Sequence, residues 1–111
     1  MEWKPITYET LIKHIELLEY LFSEEQKSFW NFIKIKPEKW TEATMGKEGN
    51  GFWAVALFGH RVLYYNDIEE GFNISTYRKY GVIDEYYAGQ GELDKLIGGL
   101  FDEIKRGVLP W

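Results

Sequence analysis

Between Thr7 and Phe22 apolar residues recur every three or four positions. Leu11, Ile15, Leu18 and Phe22 share one stripe, Ile12, Tyr20 and Leu21 sit at its margins, and Glu9, Lys13, Glu16 and Glu19 take polar positions. That period predicts an amphipathic helix. Ser23 with Gln26 three residues on matches a capping box, which predicts a break at Ser23 and a second helix to about Ile35 carrying Phe29, Trp30, Phe32 and Ile33. Pro37 lacks an amide hydrogen and is expected to end it. Two helices so closely joined predict an N-terminal helical hairpin.

From Trp40 the period drops to two. Lys39 to Met45 reads as a first strand, followed by a glycine-rich loop from Gly46 to Gly51. The run Phe52-Trp53-Ala54-Val55-Ala56-Leu57-Phe58 contains no polar residue, which suits a central strand covered on both faces. Gly59-His60 reads as a two-residue hairpin turn with glycine first. It sets Phe58 against Arg61, Leu57 against Val62, Val55 against Tyr64, Ala54 against Tyr65 and Trp53 against Asn66. Phe72 to Arg78 alternates as a half-exposed strand, and Val82 to Ala88 is expected to be the last one. Leu93, Leu96, Ile97, Leu100, Phe101 and Ile104 keep helical spacing to about Arg106, where Gly107 stops the helix. Helices placed before and after the strands predict an α+β fold. The expectation is one domain over residues 1–111, with an antiparallel meander of about five strands and the helices, C-terminal helix included, on one sheet face.

Composition changes this picture little. Hydrophobic residues are 45% of the chain and aromatics 18%, enough for a packed core. There is no cysteine, which removes disulfides, thiolate metal sites and a thiol nucleophile. The net charge of −5 has the wrong sign for holding phosphate backbones, so nucleic acid is not an expected partner. The N-terminus lacks a basic segment followed by an apolar run, and no stretch has the length of a membrane span. A cytoplasmic address with no membrane association is the default expectation.

Candidate chemistry is sparse. The loop from Gly46 to Gly51 fails as a phosphate cradle, because Gly51 opens a strand rather than a helix and Glu48 puts a carboxylate in the loop. His14, among polar helix positions, and His60, in a turn, have no second histidine at ligand spacing, so both are expected on the surface and no metal or cofactor is predicted. Asp84 and Glu85 are strand neighbours that point to opposite faces, which argues against a carboxylate pair in one cleft. No serine sits in a nucleophile elbow. No catalytic residue is therefore assigned. The hydrophobic tail from Gly107 to Trp111 is expected to fold back on the core.

The aromatics stand out. Tyr64/Tyr65 and Tyr86/Tyr87 put one ring of each pair on each sheet face. Together with Asp67, Glu69, Glu70, Asp84 and Glu85 they predict an aromatic and acidic surface suited to a protein partner. Against this stands tyrosine's general fitness for half-buried strands, and exposure of the rings decides between the two.

The stretch from Phe52 to Leu93, together with size, acidity and layout, resembles the immunity proteins of polymorphic-toxin and contact-dependent-inhibition systems. The Leu-Pro signature and glycine pair of the Smi1/Knr4-type immunity family are not evident in the N-terminal helices. The resemblance implies a stoichiometric inhibitor that binds a cognate toxin, often a basic nuclease, through an acidic surface. Two other readings stand beside it: a small enzyme or ligand-binding domain with a pocket between helices and sheet, and a homodimer joined through its sheet edge or tail.

Overall fold

The computed structural model describes residues 4–47 and 49–107. Glu48 and most of the hydrophobic tail expected to seal the core, residues 108–111, lie outside them. Helix α1 (Tyr8–Glu19) starts where the Thr7 hydroxyl accepts the Thr10 amide at 3.2 Å. Helix α2 (Glu24–Ile33) starts at the expected capping box, with the Ser23 amide donating to Gln26 at 2.9 Å and the Gln26 amide to Ser23 at 3.1 Å.

The next boundary differs from expectation. The helix stops at Ile33, and Lys34 is at once its cap and the first residue of strand β1 (Lys34–Trp40). Pro37 lies inside that strand. A proline disfavours helical backbone in the residue before it, and an outer strand tolerates its missing amide hydrogen. The expected strand from Lys39 to Met45 survives only at Lys39 and Trp40, and Thr41 makes a single bridge to Val82. Beyond it the chain folds around Glu42, whose buried carboxylate accepts the amides of Thr44, Met45 and Gly46 at 2.7–3.0 Å.

Strands β2 (Phe52–Phe58), β3 (Arg61–Asn66) and β4 (Gly71–Thr76) complete an antiparallel sheet in the order β1-β2-β3-β4. The tight turn at Gly59-His60 is present, with Gly59 at a φ of 57°. Phe58, Leu57 and Ala56 pair with Arg61, Val62 and Leu63, and then the register slips, so that Ala54 opposes Tyr64 and Trp53 opposes Tyr65. Val55 is the extra residue of this irregularity, and both Val55 and Ala56 belong to the core under the helices. A run without a polar residue carries no alternation to fix its register, so the slip was not readable from it.

Leu11 and Ile15 of α1, Phe29, Trp30 and Ile33 of α2, and Leu93, Ile97 and Leu100 of α3 (Leu93–Lys105) pack with Phe58, Leu63, Tyr65 and Phe72 on one sheet face. His14 joins that layer instead of standing free on the surface. Its ring stacks 6.0 Å from Phe72 and meets Tyr65 edge-on at 5.8 Å.

The opposite face holds a second core of Trp40, Phe52, Ala54, Val62, Tyr64 and Ile83. What covers it is the segment expected to be a fifth strand. Residues 77–91 form a strap without regular strand pairing, and the sheet has four strands. The strap bonds beside both outer strands: the Ile83 amide donates to Thr41 at 2.9 Å, the Asp84 amide to Thr76 at 3.3 Å, and the Phe72 amide to Gly91 at 3.0 Å. Where it closes on β4 the backbones nearly touch. A Cβ on Gly71 would lie 2.3 Å from the Gln90 Cα, and one on Gly91 would lie 2.4 Å from the Phe72 carbonyl oxygen, so neither position accepts a side chain. None of the helices among the described residues is long and apolar enough to cross a membrane.

Candidate functional site

The tyrosines expected to face a partner are mostly inside. Tyr64 is 0% exposed and Tyr65 7%, because the strap covers one face and the helices the other. Tyr86 is half-buried, its ring 6.0 Å from Phe52. Of the four, Tyr87 alone is well exposed, at 42%. The aromatic face predicted from strand alternation is therefore a self-covered core. Alternation tells which rings share a face, but not whether a later segment of the same chain lies over it.

Tyr64 has a structural task. Its hydroxyl accepts the Tyr87 amide at 2.8 Å and is within 3.4 Å of the Glu85 and Tyr87 carbonyls, which fastens the strap beneath β3. Burial is the main reason its phenol is pushed up to about 12, so it stays neutral across the physiological range. Asn66 supplies the second fastening. Its side-chain nitrogen donates to the Tyr87 carbonyl at 2.9 Å, and its oxygen accepts the Ile68 and Glu69 amides at 3.0 and 3.2 Å.

One fully buried side chain thus joins the acidic turn after β3 to the strap. Of the acids predicted as one surface, Asp67, Glu69 and Glu70 stand at the turn after β3, whereas the Glu85 amide bonds to Ser75 and Glu85 lines a recess with Arg61, Thr76 and Tyr87 toward the other end of β4. Asp67 is partly engaged, accepting the Ile6 amide at 2.8 Å. Glu70 is exposed. Burial raises the Tyr65 phenol, and the nearby Glu70 and Asp67 carboxylates raise it further. Tyr87 donates its hydroxyl to the Glu85 carboxylate, which raises the Tyr87 phenol. Asp84 stands apart, mostly covered and paired with Arg78 at 3.5 Å.

Glu70 also has a φ of 58°, in the left-handed region that side chains with a Cβ rarely occupy. Glycine fits there without penalty. Glu70→Gly is therefore expected to raise stability by about 0.5–1 kcal/mol, despite glycine's larger entropy in the unfolded chain. Urea denaturation checks it, and a loss of stability would show that the carboxylate itself holds the turn.

The glycine-rich loop works opposite to an anion cradle. The Lys39 ammonium donates to the Gly49 carbonyl at 2.7 Å and the Gly51 carbonyl at 3.3 Å while lying 5.0 Å from the Trp53 ring. Burial lowers the Lys39 ammonium, with Asp67 acting in the opposite sense. Among the described residues no cluster of three or more histidine and carboxylate side chains is placed to hold a metal ion.

A concave surface that sequence reasoning did not locate lies between α1, α2 and β1. Two adjoining recesses of ≈ 390 and ≈ 350 Å³ share Glu16, Glu19, Trp30 and Lys34 and open to solvent. Ile12, Ile15, Val55 and Pro37 give it an apolar wall. At its centre the Trp30 indole donates to Glu19 at 2.6 Å, and Glu19 pairs with Lys34 at 3.6 Å. The early start of β1 creates this groove, and the helix expected to run to Ile35 hid it. Comparison of the chain with protein-family models, with curated proteins and with solved structures found no match.

Proposed function

We propose that the chain is a protein-binding module that acts by stoichiometric association, its contact surface being the acidic turn at Asp67, Glu69 and Glu70. The observation that carries this reading is the Asn66 side chain, which accepts the Ile68 and Glu69 amides and donates to the Tyr87 carbonyl, so that the acidic turn is held in one place at the end of the sheet. Side chains held on a preformed surface lose little further freedom on binding, and carboxylates gathered there steer a basic partner. The likeness to immunity proteins in size and acidity supports the same reading. A basic toxin domain encoded beside this chain is then the partner of choice.

The test is charge reversal. With Glu69 and Glu70 both changed to lysine, association with such a toxin at low salt is expected to slow about tenfold or more, and added salt should no longer slow it. Stability should change by no more than about 0.5 kcal/mol, since both side chains lie at the surface of a turn. Stopped-flow binding at two ionic strengths reads the first effect and urea melts the second. An unchanged association rate would place the contact elsewhere.

A further inference from the structure

The recess beside β1 is lined by four consecutive strand residues, Lys34, Ile35, Lys36 and Pro37. The pairing of β1 with β2 shifts register between Lys34 and Glu38, so this stretch departs from regular alternation, and the hollow runs along it between the outer strand and α1, reaching Val55 and Ile15 beneath. Among the described residues β1 is an outer strand paired with β2, and α1, about 18 Å long, forms the facing wall. Such a trough has the shape of an extended chain of five or six residues. The geometry points to a second binding site here, for an extended segment of another protein carrying apolar and acidic side chains in alternation.

Charge selects that occupant. Three lysines, Lys27, Lys34 and Lys36, line the two recesses against two glutamates, and Glu19 is already held by Trp30 and Lys34. With Lys34 and Glu19 paired, Lys27 and Lys36 face Glu16, an excess of one positive charge on a chain of net charge −5. A carboxylate reaching Lys36, whose ammonium lies 5.9 Å from the Tyr8 ring, would complete it. A second copy fits poorly. Antiparallel pairing of two β1 edges about Ile35 or Lys36 sets lysine beside lysine, the arrangement by which exposed strands resist self-association. Pro37 limits main-chain pairing to the Lys34 side of the strand, so side-chain contacts with Ile12, Ile15 and Val55 supply much of the contact.

The probe is a fluorescein-labelled eight-residue peptide alternating glutamate and valine, compared with its lysine–valine counterpart. Titrated into the full ¹⁵N-labelled chain, the acidic peptide is expected to raise anisotropy and shift the amide signals of Ile12, Glu16, Ile35 and Lys36. Lys36→Glu should weaken it about tenfold, with an unchanged thermal melt because Lys36 is exposed. Charge reversal at Glu69 and Glu70 should leave it unaltered, which separates this site from the acidic end. Equal binding of the basic peptide, or no shifts at β1 with millimolar peptide, would overturn the inference. So would concentration-dependent dimerisation, seen by sedimentation and abolished by Lys36→Glu, which would give the groove to a second copy.

Discussion

Trp40→Ala is expected to destabilise the protein by about 3–5 kcal/mol, the range for deleting a large buried aromatic. Trp40 is 1% exposed at the end of β1, and its ring centroid lies 4.9 Å from both Tyr77 and Tyr80 of the strap. Its indole donates to Glu38 at 2.9 Å, and Tyr80 donates to the same carboxylate, so the tryptophan joins the outer strand to the start of the strap by contact and by hydrogen bonds. Removing it leaves a cavity lined by side chains from both. The effect should therefore be local as well as global. Amide exchange at Ile83, Glu85 and Tyr87, which bond to Thr41, Ser75 and Tyr64, is expected to rise more than exchange in α3. A loss below about 1 kcal/mol in urea, or equal loss of protection in α3, would show that the strap is held independently of Trp40.

Where physical signals were redundant, the sequence was legible. The capping box at Ser23 and Gln26, the glycine at Gly59 and the apolar spacing from Leu93 to Ile104 each pair a turn or cap signal with a matching period, and the helices, the tight turn between β2 and β3 and the α+β class follow from them, whereas the expected N-terminal helical hairpin does not, α2 packing mainly on α3. Misreading came where one signal stood alone. Pro37 was taken as a helix stop, although a proline also fits an edge strand, and the helix ends before it. The alternation expected from Val82 to Ala88 is not kept, since Ile83 and Tyr86, three apart, both turn to the second core, and partners for its backbone come from a hydroxyl, a serine and two strand ends rather than from a neighbouring strand. Nothing in the local pattern separates those cases.

The same distinction runs through the candidate site. Acids at Asp67, Glu69 and Glu70 were readable as a surface turn, since charge within a short connection stays solvated. Burial of Tyr64 was not, because it depends on a strap some twenty residues later. Asn66 escaped notice for a related reason: a lone asparagine at a strand end is an ordinary turn residue, and its link to Tyr87 exists only once the strap is in place. The groove beside β1 was hidden by the single misplaced boundary at Ile35.

Glu42→Ala should be the other large loss, about 2–4 kcal/mol near neutral pH, although the residue belongs to no strand or helix. The side chain is 5% exposed and accepts three successive amides and the Thr44 hydroxyl, and its removal takes that shared acceptor from all four donors at once. A Cβ on Gly46 would lie 2.9 Å from the Glu42 Cβ, so this turn is closely packed around the carboxylate. Burial alone would raise the Glu42 carboxyl, but the Thr44, Met45 and Gly46 donors outweigh it and hold the carboxyl below its usual 4.5. A group whose folded value is depressed contributes stability that is fully present above the unfolded value and lost as pH falls through the folded one. The gap between wild type and Glu42→Ala should therefore be constant from pH 7 down to about 5 and narrow below 4.5. Urea melts across that window measure it. A gap that stayed the same at pH 3, with both proteins still folding cooperatively, would mean that Glu42 stabilises the turn through packing rather than through its charge.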